Sequence, residues 1–300
     1  MRSSRRGFTG LLAALLGLPW LTQRMASAAQ TLAGSGETSA PPPRQYRRYR
    51  ADAVILFLGI SIFRRSGVGG GEASVEETSD GAGDLRTLFF AAGSDPARAH
   101  GLNRLGWIRE TIREAHSVPS EVQYFGVMSA SPEESLEHAR KAIATPAAGH
   151  STYSAVSGRH TSGASRSAIT HFEMAADAKW FDRRIIDAAQ ATFREKVQWR
   201  ETSWPGAGNR TPSTFLFELA SLLSRRTEHT SGRYVYNEQE YLLDLDAGKP
   251  DRLLPVHGRI RNQRTGGLTT FTIWMETGSI VPVRIDYQPR SFLRLVFEAV

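Results

Sequence analysis

The sequence predicts an α+β protein. Its centre is a twisted antiparallel β-meander, half-barrel-like and formed by both chain ends, with helices from the middle segment packed against it. Three observations lead there. A near-continuous apolar run rich in β-branched and aromatic residues occupies positions 53–63. Four C-terminal segments alternate apolar and polar residues, with Gly266-Gly267, Gly278-Ser279 and Pro289-Arg290 between them. In parts of the middle the apolar spacing turns helical. Period-two alternation across short loops makes an antiparallel sheet with one buried and one wet face. Helices bury their apolar stripe on such a sheet.

Residues 1–28 stand apart from the fold. Arg2, Arg5 and Arg6 precede a 14-residue uncharged, mostly apolar run at 8–21, and Ala26-Ser27-Ala28 follows. A charged start, a short apolar run and an A-x-A site make a secretory signal. The run falls short of the roughly 20 residues a spanning helix needs. Ser4-Arg5-Arg6-Gly7-Phe8 resembles the twin-arginine signal, which a receptor reads as an address. Gly10 and Gly17 lower the hydrophobicity and favour that route over the general secretory one. Arg5, Arg6 and Phe8 are therefore the expected targeting residues, and Ala26 and Ala28 the cleavage site. The export machinery is the expected partner. The periplasm or the cell exterior is the expected location, with no transmembrane span in the mature chain.

The whole chain has 37 basic and 30 acidic residues, a net +7. Four arginines and no acid lie in residues 1–28, which leaves 33 basic against 30 acidic, or +3. That balance argues against nucleic acid, whose binding needs clustered basic residues. The chain has no cysteine. Disulfides, thiolate nucleophiles, cysteine-ligated iron–sulfur clusters and cysteine-containing zinc sites are excluded.

Residues 29–48 read as a linker, small and polar up to Pro41-Pro42-Pro43, then basic. Residues 49–300 read as one domain. Residues 53–63 form a buried strand. Gly67 to Gly71 form a tight turn, with short strands at 72–77 and 85–91. Leu102, Leu105, Ile108 and Ile112 predict a helix within 96–114. Residues 122–128 form a strand. Ser131, Pro132 and Glu134 start a helix that runs to about 144. Residues 145–167 are loop or weak strand, and 168–174 a strand. Residues 182–194 form a helix with Ile185, Ile186, Ala189 and Phe193 on one face. Another begins at Thr211-Pro212, with Phe215, Leu216, Leu219, Leu222 and Leu223 inward. Strands at 233–236 and 240–245 precede the four alternating segments. Pro282 places its strand at an edge or a bulge.

No motif carries a reaction. The Gly67–Gly71 stretch lacks the Lys-Ser/Thr and the helix that a phosphate-binding loop requires. His150, His160 and His171 share one passage, but no histidine pair has the helical spacing of a zinc site. Gly163-Ala164-Ser165-Arg166-Ser167 lacks the final glycine of a nucleophile elbow. Glu76/Glu77 and Glu133/Glu134 are adjacent, so their side chains diverge. Trp180, Trp199 and Trp204 line a pocket or cap the sheet. No catalytic, cofactor-binding or metal residue is assigned, and no cofactor is expected.

The final passage carries Trp274, a polar turn, and Pro282, Arg284, Ile285, Asp286 and Tyr287 in a Pro-x-Arg-φ-Asp-Tyr pattern. With the opening passage 50–77, it resembles a family of uncharacterised bacterial exported envelope domains with a curled antiparallel sheet. The resemblance implies a half-barrel like those of periplasmic lipid carriers, and no reaction. The expectation is an exported envelope protein that binds an apolar or amphipathic, lipid-like ligand without catalysis. The alternatives are a hydrolase with a site in the middle segment, and a structural or partner-binding envelope protein.

Overall fold

The computed structural model describes residues 44–57, 60–80, 83–99, 105–115, 118–129, 149–175, 177–179, 181–203, 211–225, 227–236, 239–290 and 292–300. In chain order the first strands are β1 (Arg44–Phe57), β2 (Ile60–Asp80), β3 (Gly83–Ser94), β4 (Leu105–Ala115), β5 (Val118–Ser129), β6 (His150–Thr161) and β7 (Ala164–Ala175). Helix α1 (Arg183–Lys196), β8 (Arg200–Ser203) and helix α2 (Phe215–Ser224) follow. The chain ends with β9 (His229–Tyr236), β10 (Gln239–Ala247), β11 (Leu254–Asn262), β12 (Leu268–Met275), β13 (Arg284–Arg290) and β14 (Leu293–Ala299).

The 14 strands of the described residues belong to one open antiparallel sheet, ordered β8-β7-β6-β5-β4-β3-β2-β1-β14-β13-β12-β11-β10-β9. Strands adjacent in the sheet are adjacent in sequence, with a single exception at the centre. There β1 pairs with β14, from Tyr49↔Ala299 to Ile55↔Leu293. Both chain ends do build the sheet. The expected α+β balance and half-barrel are corrected: the described residues are mostly β, with two helices, and form one open sheet.

The correction has identifiable causes. Residues 105–115 form β4, not a helix. Ile108 and Ile112 fit a helical spacing, and period two fits them equally if Glu110 between them is also inward. Glu110 is fully buried. A buried carboxylate at an inward position disguised the strand. Residues 150–161 looked like loop because Ser, Thr, Gly and His have weak strand preference. They are β6, paired on both sides by β5 and β7. Residues 44–48, expected as the end of the linker, are part of β1. The apolar run 53–63 holds the end of β1 and the start of β2, and its Phe57, Ile60, Ile62 and Phe63 are exposed rather than buried. The helix expected at 131–144 lies outside the described residues.

The Gly67–Gly71 stretch lies inside β2 and makes no turn. Gly67 has φ +67° at a register shift opposite Asp52. A Cβ on Gly69 would sit 1.9 Å from the Gly93 carbonyl oxygen, so that backbone approach admits only glycine. The freed donors serve the chain's own carboxylate. Gly67 N–H donates to Asp52 Oδ1 at 2.8 Å, and Arg64 and Ser66 donate to Oδ2. Burial works to raise the Asp52 carboxyl, and these donors outweigh it and hold it below the usual range.

The C-terminal meander forms as its alternation predicts. Val256, Ile273, Ile285, Phe297 and Ala51 are successive register partners across β11, β12, β13, β14 and β1. All five are buried. We call this face inner. Gly266 and Gly278 have the positive φ of tight turns. Val281, Pro282 and Val283 precede β13, which runs between β12 and β14, so Pro282 marks neither an edge nor a bulge.

The two helices cover opposite faces. α1 begins at Asp182, whose side chain accepts from Arg184 N–H. It buries Ile185, Ile186 and Ala189 and packs against β6 and β7. Phe193 meets Phe125 of β5 edge-on, with ring centroids 5.3 Å apart. Phe125 and Tyr124 are adjacent on one strand and so point to opposite faces. Tyr124 partners Glu110, which contacts α2. α2 therefore lies on the inner face.

Candidate functional site: an apolar cavity on the inner face

The inner face carries a cavity of about 80 Å³ bounded by β2 and β3, by α2, and by β12, β13 and the segment before β13. Its wall is set by register. Ala73 partners Phe90 across β2 and β3, and Phe271, Ile273 and Ile285 line the facing strands. Phe215, Leu216 and Leu219 of α2 close the space between. Ser74 is the single polar side chain in the lining, and no titratable group reaches it. Such a space offers dispersion contacts and no partner for water, so it suits an apolar guest.

The position of α2 depends on one carboxylate. Its N-cap residue, Thr214, makes no side-chain cap hydrogen bond. Glu110, reaching in from β4, takes that role. Leu216 N–H donates to Glu110 Oε1 at 3.0 Å and Phe217 N–H to Oε2 at 2.8 Å; the Thr214 hydroxyl donates to Oε2 at 2.5 Å. The carboxylate satisfies helix N–H groups that have no intrahelical acceptor, and it sits at the positive end of the helix dipole. Burial nevertheless pushes its pKa up to about 7 against these three donors. On the helix itself Glu218 is buried over Gly232, where an added Cβ would lie 1.8 Å from its Oε1. Burial raises this carboxyl too.

Farther along the inner face, Tyr124, His160 and Tyr236 gather. Tyr124 lies 5.3 Å from the His160 ring and 5.8 Å from the Tyr236 ring. Tyr236 belongs to the terminal strand β9, and Tyr124 to β5, ten places away in the sheet. The Tyr124 ring packs flat over Gly158, where a Cβ would lie 2.3 Å from it. Burial pushes the His160 imidazole down to about 4, against the opposing pull of the Val235 backbone. At neutral pH His160 is a neutral interior residue.

The residues singled out by sequence do not converge. His150 and His160 occupy opposite ends of β6, ten residues apart, which at roughly 3.3 Å per residue is about 33 Å. Among the described residues no group of three His, Asp or Glu side chains is placed to hold a metal. Ser165 and Ser167 pair with His160 and Gly158 next to the β6–β7 turn. Trp199 is stacked by Arg166 at 4.7 Å and lies beside Phe193 of α1, with ring centroids 6.3 Å apart. Arg5, Arg6, Phe8, Ala26 and Ala28, with Glu133, Glu134, Trp180 and Trp204, lie outside the described residues.

One pair has the atoms of a nucleophilic site. Ser154 Oγ and His171 Nδ1 are 2.9 Å apart. They are register partners in the middle of the ladder, with β6 paired on both sides. The backbone there is engaged in the sheet, so no pair of free N–H groups stands beside Ser154 as an oxyanion hole. The contact is that of a cross-strand hydrogen bond. Sequence reasoning missed Glu110, the residue that seats α2. Its signal was a carboxylate between Ile108 and Ile112, where period two calls for an apolar residue.

Among the described residues no helix is long and apolar enough to cross a membrane. No family model, no curated protein and no solved structure matches this chain.

Proposed function

We propose that this chain is an exported envelope protein that holds an apolar or amphipathic, lipid-like ligand beside α2, without catalysis. The observation that carries the reading is the cavity lining, apolar throughout except for Ser74 and free of titratable groups. Ligand sites are concave, mostly apolar and sparingly polar. In this reading the inner face of the open sheet holds the ligand and α2 serves as its plug. A volume near 80 Å³ takes only a short stretch of chain, so a longer ligand displaces the apolar C-terminal half of α2. The signal at residues 5–8 and Ala26 and Ala28 supply the route to the periplasm or beyond. The hydrolase reading has the Ser154–His171 contact in its favour and lacks an oxyanion site.

The test is a titration of the purified chain with a fluorescent fatty acid. Saturable one-to-one binding is expected. Ala73→Phe, which fills the cavity from β2, should weaken it by about tenfold or more, the loss of roughly 1.4 kcal/mol. Urea unfolding confirms that the variant is folded. No saturable binding by the unaltered chain, or equal binding by the folded variant, overturns the reading. Hydrolysis of an ester probe that is lost in Ser154→Ala would favour the hydrolase instead.

A further inference from the structure

The described chain exposes twelve large hydrophobic side chains, and five of them gather at one end of the sheet. Phe57, Ile60, Ile62 and Phe63 flank the β1–β2 turn, and Phe292 stands at the β13–β14 turn. Their exposures run from 56 % to 70 %. Leu56 N–H donates to the Phe292 carbonyl at 2.9 Å, which ties the two hairpin ends into one tip. Scattered exposed apolar residues need no explanation, but a contiguous set marks an interaction site.

The charge around this tip has one sign. Among the described side chains of residues 53–71 and 287–297 the charged ones are Arg64, Arg65 and Arg294, with no acid. The nearest acids on the adjoining strands, Asp52, Asp286 and Glu298, lie below the tip; Asp52 and Glu298 contact Arg64 at 2.6 and 3.6 Å, and Asp286 lies 3.9 Å from Arg294. Among the described residues Arg65 meets no acid within ion-pair distance. An apolar, aromatic end backed by arginines matches the layering of a bilayer surface, with acyl chains inside and anionic headgroups above.

We propose that this tip inserts into the surface of an anionic lipid bilayer, with Phe57, Ile60, Ile62 and Phe63 in the acyl boundary and Arg65 at phosphate level. A second copy of the chain is a poorer fit. Five side chains of roughly 200 Å², a little over half exposed, offer roughly 600 Å², below the ~800 Å² per partner of a stable interface. The tip is also a projection, whereas a dimer needs a broad complementary face. The surface stands whether or not the cavity takes a ligand.

The test exploits the absence of cysteine. Ser61→Cys at the tip and Ser79→Cys at the far end of β2 are each labelled, in the full chain, with an environment-sensitive dye. Vesicles of phosphatidylcholine with and without phosphatidylglycerol are added, some carrying a lipid-attached quencher. The Ser61 label should brighten several-fold and be quenched by the labelled lipid, more with phosphatidylglycerol and less in high salt. The Ser79 label should not respond. Ile60→Ser with Phe63→Ser should abolish the response at Ser61→Cys while urea unfolding is unchanged, since both side chains are exposed. No response at Ser61, or an equal response at Ser79, overturns the proposal. Brightening that needs protein concentration and no vesicles assigns the tip to a second copy and overturns it as well.

Discussion

Glu110 allows a direct test of how α2 is held. The folded state raises its pKa from 4.5 to about 7. Between those values the native chain binds a proton that the unfolded chain has released. Stability from this group is therefore fully present below about 4.5 and is lost as pH rises through 7. A difference of 2.5 units, at about 1.4 kcal/mol per unit, gives roughly 3 kcal/mol. The perturbation is Glu110→Gln. It removes the titration and keeps one oxygen, which in the place of Oε2 still accepts from Phe217 N–H and the Thr214 hydroxyl; the Leu216 N–H loses its acceptor at every pH alike. The assay is urea unfolding of both proteins at intervals from pH 5 to 8. The difference between the two profiles cancels every other titrating group. The unaltered chain should lose about 3 kcal/mol relative to Glu110→Gln across that window. Parallel profiles would refute the reasoning, because they would mean that Glu110 titrates alike folded and unfolded. Glu110→Ala should be worse at every pH, since it strands a buried hydroxyl and two N–H groups at about 1–3 kcal/mol each.

His160 has the opposite sign. Its folded pKa falls from 6.5 to about 4, so its contribution is present above 6.5 and is lost as pH falls toward 4. The loss is about 3 kcal/mol, and His160→Leu should abolish that acid lability in a pH series of unfolding curves. Phe297, buried and edge-on to Phe90 at 6.5 Å, should cost about 3–5 kcal/mol as Phe297→Ala. Arg294→Ala, on the other face of β14, should cost at most about 1 kcal/mol; its guanidinium is partly exposed and 3.9 Å from Asp286. Equal losses in these two variants would show that the outer face is as buried as the inner. For export, Arg5→Lys with Arg6→Lys should block appearance of the chain outside the cytoplasm in cell fractionation, and unchanged export would remove the twin-arginine reading.

Local chemistry determined much of this protein in advance. The strands of the C-terminal meander, the turns at Gly266 and Gly278, and the inner-face residues Ile273, Ile285 and Phe297 follow from period-two alternation, because one face of a sheet must be apolar. The helix at Ile185, Ile186 and Ala189 follows from its own spacing. What the sequence alone could not determine depends on partners distant in the chain. Gly69 looked like a turn residue until β3 placed the Gly93 carbonyl against it. The tip at Phe57 and Ile60 looked like core, since apolar composition is the same whether a side chain is covered or left outside. β4 looked helical because its inward carboxylate made no sense without α2, about 105 residues away. A buried charge needs donors, and Glu110 finds them only when tertiary structure brings the N-terminus of α2 onto the inner face.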